Sequence, residues 1–192
     1  MALTIGLTGG IAAGKSEALA AFERLGAETL SSDAVVHQLL DSEPLTGRLV
    51  ERWGQEVAPG GRVDRHRIGE IVFADPEQLT WLEAQVHPLV GERIGAWLGA
   101  LGSQVEVAVV EVPLLFESEM GEVFDTTLAV VAAEDLRRSR AEARGQALVG
   151  EREARQLPQG QKAARAAHVV QNDGTVEDLE HSLSALIETL RE

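Results

Sequence analysis

An ammonium and a hydroxyl stand side by side at Lys15 and Ser16, closing the run Gly9-Gly10-Ile11-Ala12-Ala13-Gly14-Lys15-Ser16. Residues of these types at this spacing make the Walker A pattern, GxxxxGK[ST], whose chemistry is the binding of phosphate. The backbone N–H groups of such a loop turn inward onto phosphate oxygens, and the dipole of the following helix adds a favourable potential. The candidate triphosphate-binding residues are therefore Gly10, Ala12, Ala13, Gly14, Lys15, Ser16 and Glu17. As a compact point charge Lys15 suits the β- and γ-phosphates, which also makes it a candidate catalytic group. The Ser16 hydroxyl is the candidate ligand for Mg²⁺. The motif predicts that the chain binds a nucleoside triphosphate, with ATP and Mg²⁺ as the expected pair.

Such a loop works only where a strand delivers it and a helix begins beneath it. The apolar run Leu3 to Thr8 supplies the strand, and Lys15 to Leu25 the helix, with Ala18, Leu19, Phe22 and Leu25 at helical spacing. A short strand at 27–30 ends at Ser31-Ser32-Asp33, and a helix follows over 35–40 with Ser32 or Asp33 as its cap. From Pro44 to about Leu101 the pattern is helical, broken at Gly60-Gly61, with a helix start at Asp75-Pro76. An interruption is expected at His87-Pro88, because proline biases the residue before it away from helix. Continuous apolar runs at 105–112 and 126–131 read as buried parallel strands. A charged helix over 134–144 and a polar, mostly helical stretch over 149–167 come next. A short strand at 168–171, the turn Asn172-Asp173-Gly174 and an amphipathic helix over 175–190 close the chain.

This alternation predicts an α/β fold of the P-loop NTPase kind, three layers α/β/α around a mostly parallel sheet. One domain spans 1–192, with a helical insertion at about 44–101 and a small lid region at about 137–160. The 192 residues are 44% hydrophobic and contain no cysteine, which excludes a disulfide framework and a thiolate metal site. Apolar runs fall short of the ~20 residues that cross a bilayer, so a soluble, cytoplasmic protein with no membrane partner is expected. A formal net charge of −14 argues against a general nucleic-acid surface. A monomer is the simpler expectation, with a small homo-oligomer left open.

No Asn-Lys-x-Asp guanine-reading motif is present, and a short chain with a helical insertion suggests a small-molecule kinase. The motifs that narrow this are Ser32-Asp33-Ala34 with Val36-His37-Gln38-Leu39, and Gly61-Arg62-Val63-Asp64-Arg65. Ile71 to Pro76, Leu82-Glu83 with His87-Pro88, and Val112-Pro113-Leu114-Leu115-Phe116-Glu117 follow, then Lys162 and Val169 to Gly174. In order and spacing the chain resembles the dephospho-CoA kinase family along almost its whole length. The resemblance implies transfer of the ATP γ-phosphoryl group to the ribose 3′-hydroxyl of dephospho-coenzyme A. Other nucleoside or nucleotide monophosphate kinases, and a catalytically silent nucleotide-binding module, are the alternatives.

The resemblance places the family's proposed catalytic base at Asp33, where a carboxylate past a strand end can also cap a helix. Arg140 and Arg144, four apart on one predicted helix, are candidate lid arginines for the transferred phosphoryl group, Arg140 as a catalytic group. Arg137 and Arg138 share that helix, which could equally be a solvated face paired with Glu134, Asp135 and Glu142. His87, Leu114, Leu115 and Glu117 are candidate substrate-binding residues, with packing as the alternative for the first three. Glu111 ends its strand either as a Walker B carboxylate or facing solvent, and Lys162 either reaches nucleotide or lies on the surface. The chain departs from the family's usual loop at Ala12, Ala13 and Glu17. A positive φ at Ala12 would cost about 1–2 kcal/mol, and the Glu17 carboxylate could oppose phosphate unless it points away.

Overall fold

A computed structural model describes residues 2–143 and 156–191. The chain forms two compact units, Met1–Ser31 with Leu101–Glu192, and Ser32–Ala100. The first unit is built on strands β1 (Leu3–Gly9), β2 (Glu28–Ser31), β3 (Val107–Glu111), β4 (Thr126–Val131) and β5 (His168–Gln171). They form one five-stranded sheet in the order β2-β3-β1-β4-β5, every pairing parallel. The strand ends are thereby brought to one edge: Leu7 pairs with Glu111, Gly9 with Val130, and Val131 with Gln171. All five residues of β3 are buried, which is why Val107 to Val110 shows no polar alternation.

Helices cover both faces of this sheet. Helix α1 (Lys15–Arg24) pairs with the C-terminal helix Val176–Arg191, and their apolar stripes close one core. Ile5, Leu7, Val109, Leu128 and Val130 from the sheet meet Ala18, Phe22, Leu179 and Leu183 there. Because side chains alternate along a strand, Thr8 faces the other way. It shares the Pro113 carbonyl with Lys162 of the short helix Gln159–Arg165, which packs against β1 and β4.

The second unit is helical: α2 (Ser32–Leu40), α3 (Glu43–Trp53), α4 (Arg65–Ala74) and α5 (Pro76–Gly99). Asp64 and Asp75 cap α4 and α5: the Asp64 carboxylate accepts from the N–H groups of His66 and Arg67, and the Asp75 carboxylate from that of Glu77. The expected break at His87-Pro88 does not occur: α5 runs through Pro88 for 24 residues. Pro88 withholds one helix hydrogen bond, from the Ala84 carbonyl, and both residues are exposed, so water can satisfy that carbonyl. Two further helices of the first unit, α6 (Glu134–Ala143) and α7 (Gln159–Arg165), precede β5, and the C-terminal helix Val176–Arg191 is α8. No helix among the described residues is long and apolar enough to cross a membrane.

Candidate active site

The phosphate loop occupies the turn between β1 and α1, at the carboxyl edge of the parallel sheet where such folds bind ligands. Gly14 caps α1 at φ 101°, and a Cβ there would collide with Asn172 Nδ2, so glycine is required twice over. Ala12 adopts φ 58°, a left-handed conformation that costs a residue with a Cβ about 1–2 kcal/mol. The loop is thus strained at one of the positions where the chain departs from the family's usual loop.

Donors from several elements hold the loop. Lys15 Nζ donates to Gly9 O at 3.3 Å and Gly10 O at 3.0 Å, folding its ammonium over the loop entrance. Asn172 Nδ2 donates to Ala13 O at 2.8 Å, and its side chain is buried. Arg137 Nε donates to Ile11 O at 2.9 Å, while its Nη1 meets Glu134 Oε2 at 2.9 Å. Arg137, expected with a lid group or on a solvated face, has a side chain only 7% exposed. Asn172 was legible as a turn residue, and nothing in its local spacing signals that it reaches the loop.

Ser16 is exposed in the first turn of α1, where a cation held by the phosphates can meet its hydroxyl. The Glu17 carboxylate turns along the helix to Arg24 at 3.1 Å, away from the loop, leaving its backbone N–H as the group that can meet phosphate. Arg140 Nη1 donates to Asn172 O at 3.0 Å, which uses one of the five guanidinium donors beside the loop. Arg144 lies outside the described residues, as does much of the expected lid. Glu111 is 7% exposed at the end of β3, so it does not face solvent. Among the described residues no group of three metal-ligating His, Cys, Asp or Glu side chains forms.

The segment after β3 separates the substrate candidates. Leu115 has no exposed surface, which agrees with the packing alternative expected for it. Leu114 is half-buried. Glu117 Oε1 accepts from Leu157 N at 2.7 Å and pairs with Lys162 Nζ at 3.1 Å. Lys162 is wholly buried rather than a surface lysine, and the Pro113 carbonyl and Glu117 hold it there. Burial pushes its ammonium below the ordinary lysine range, and Glu117 draws it back only in part.

Asp33 and His87 belong to the helical unit. Asp33 is exposed in the first turn of α2, directly after β2, and His87 is exposed on α5.

A central β1 running into a phosphate loop, with α1 capped by that loop and arginines on α6 beside it, defines a P-loop kinase. Shikimate kinase from Aquifex aeolicus shares the fold at a TM-score of 0.57 and 14% identity, over 97% of this chain and 96% of that one. A structure from Thermus thermophilus superposes far better, at a TM-score of 0.82 with 35% identity over 98% of both chains. The family model for dephospho-CoA kinase matches residues 3–178. The chain belongs to the dephospho-CoA kinase family. The dephospho-CoA kinase of Hahella chejuensis is 36% identical over 191 residues, covering 97% of this chain and 91% of the relative. That of Thermobifida fusca is 35% identical over 98% of this chain and 96% of the relative.

Proposed function

We propose that this chain phosphorylates the ribose 3′-hydroxyl of dephospho-coenzyme A with ATP, giving coenzyme A and ADP. The observation that carries the reading is a phosphate loop with its lysine and helix cap in place, within a chain matched by the family over residues 3–178. In this reading the N–H groups of Gly10, Ala12, Ala13, Gly14 and Glu17 bind phosphate oxygens, and Lys15 neutralises the β- and γ-phosphates. Asp33 accepts the proton of the 3′-hydroxyl as that oxygen attacks the γ-phosphorus and the bond to the ADP oxygen breaks. Arg140 and Arg144 offer guanidinium donors to the oxygens of the transferred group, which matters in a chain of net charge −14. Ser16 would hold Mg²⁺, which when bound neutralises charge on the phosphate oxygens; Glu111, buried at the neighbouring strand end, suits a water-mediated contact to it.

The helical unit is proposed as the acceptor side, with His87 a wall residue rather than an acid or base. Leu114 is the apolar substrate contact proposed from the post-β3 segment, and Glu117, paired with Lys162, is a further substrate contact proposed there. The protein is proposed to be cytoplasmic, with no nucleic-acid or membrane partner, and active as a monomer. The test is product analysis: phosphorus NMR of the reaction with dephospho-coenzyme A should show a new 3′-phosphomonoester in step with ADP. Phosphate appearing elsewhere on the acceptor, or ADP formed without phosphorylated acceptor, would contradict the reading.

A further inference from the structure

A loop that binds anions must turn its N–H groups inward, and its carbonyls must then find donors elsewhere. In this chain two of those donors come from distant elements, Arg137 Nε to Ile11 O at 2.9 Å and Asn172 Nδ2 to Ala13 O at 2.8 Å. The two carbonyls flank Ala12, the loop residue held at φ 58°. A glycine would take that conformation readily, whereas a residue with a Cβ needs its neighbours to impose it.

We propose that Arg137 is a positioning residue of the phosphate loop, holding the Ile11 carbonyl outward so that strained Ala12 keeps its N–H turned to phosphate. The inference rests on the loop being the ATP site. The guanidinium is built for this task. Its Nη1 is tied to Glu134 at 2.9 Å one turn earlier on α6, which fixes the planar fork and so the direction of Nε. Helix α6 is itself pinned, because the N–H of Ala133, just before it, donates to Asp173 Oδ1 at 2.7 Å. The loop also lies close on this side: a Cβ at Gly10 would stand 3.3 Å from Arg137 Nε and 2.9 Å from Gln159 Cβ. With its Nε and Nη1 committed to Ile11 and Glu134, Arg137 acts through the loop backbone.

The experiment compares Arg137→Met and Arg137→Lys in the parental and Ala12→Gly backgrounds. Folding is checked by thermal unfolding, ATP affinity by calorimetry, and kcat and KM by steady-state assay. Arg137→Met should weaken ATP binding about tenfold, or about 1.4 kcal/mol, with kcat changed less and the acceptor KM unmoved. Arg137→Lys, which keeps one donor for the carbonyl, should fall between. In the Ala12→Gly background the loss should shrink to about threefold or less, since glycine holds a positive φ unaided. The same loss in both backgrounds, or ATP affinity unchanged in folded Arg137→Met, overturns the inference. Should Arg137→Met fail to fold, Glu134→Gln, which loosens the fork, is compared across the same two backgrounds by the same criteria. A parent that binds ATP yet leaves dephospho-coenzyme A unphosphorylated overturns the acceptor assignment alone, and the coupling between positions 12 and 137 is still decided by ATP affinity. A parent that binds no ATP overturns both.

Discussion

Lys162 carries its ammonium with no exposed surface, and what permits this is the set of acceptors drawn around it. Glu117 pairs with it at 3.1 Å, Gln156 Oε1 lies at 3.5 Å, and the Pro113 carbonyl completes the set. Among the described residues Glu117 Oε2 has no hydrogen-bond partner, so the pair is incompletely satisfied. A buried pair of this kind contributes little beyond two apolar side chains, but breaking it strands a charge. Lys162→Met or Glu117→Leu alone should therefore cost about 3–5 kcal/mol, and the double variant should recover most of that. Urea unfolding of the four proteins measures it, and additive losses would contradict the pairing. From sequence, Lys162 offered a nucleotide contact or a surface position. The surface position does not hold, because the burial of Lys162 depends on Pro113 and Glu117, far upstream, which no local pattern reveals. The phosphate loop was legible for the opposite reason: its chemistry is packed into consecutive residues, Gly9 to Ser16.

At the level of elements, helix starts decide much of the geometry around the loop. Thr175 and Asp178 cap α8 reciprocally: Asp178 Oδ2 accepts from Thr175 N at 2.9 Å, and Thr175 Oγ1 accepts from Asp178 N at 3.2 Å. Asp173 serves α6 from a distance, accepting from Ala133 N and from Gln171 Nε2, each at 2.7 Å. The Ala133 amide, then Gln171, hold the Asp173 carboxyl below the usual aspartate range. A carboxyl lowered on folding contributes stability that is complete above its unfolded value and is lost as pH falls through the folded value. Asp173→Asn should therefore flatten the decline of Tm below about pH 4, and a slope equal to the parent's would contradict this. The strands and most helices were legible because their apolar periods are long. The misread break at His87-Pro88 shows the limit of local rules: proline's preference gave way to a long helix whose other turns are packed, with Val86 and Val90 buried on either side.

For the molecule as a whole, a charge of −14 must coexist with a polyanionic nucleotide, and the described cations near the loop are correspondingly fixed in place. Lys15 is folded over loop carbonyls, Arg140 rests on Asn172 O, and Arg137 is buried. The passage from sheet unit to helical unit shows in the sequence as a change of period after Pro44. The helical unit itself begins earlier, at Ser32, because α2 starts directly after β2 with no linker. That places Asp33, the proposed base, on the helical unit and the phosphate loop on the other. The most direct measurement is a coupled ADP-release assay with ATP, Mg²⁺ and dephospho-coenzyme A, with adenosine and AMP as rival acceptors. Turnover should require dephospho-coenzyme A, vanish in Lys15→Ala, and fall about 10²–10⁴-fold in Asp33→Ala. Equal or faster turnover with AMP, or an Asp33→Ala protein as fast as its parent, would contradict the account.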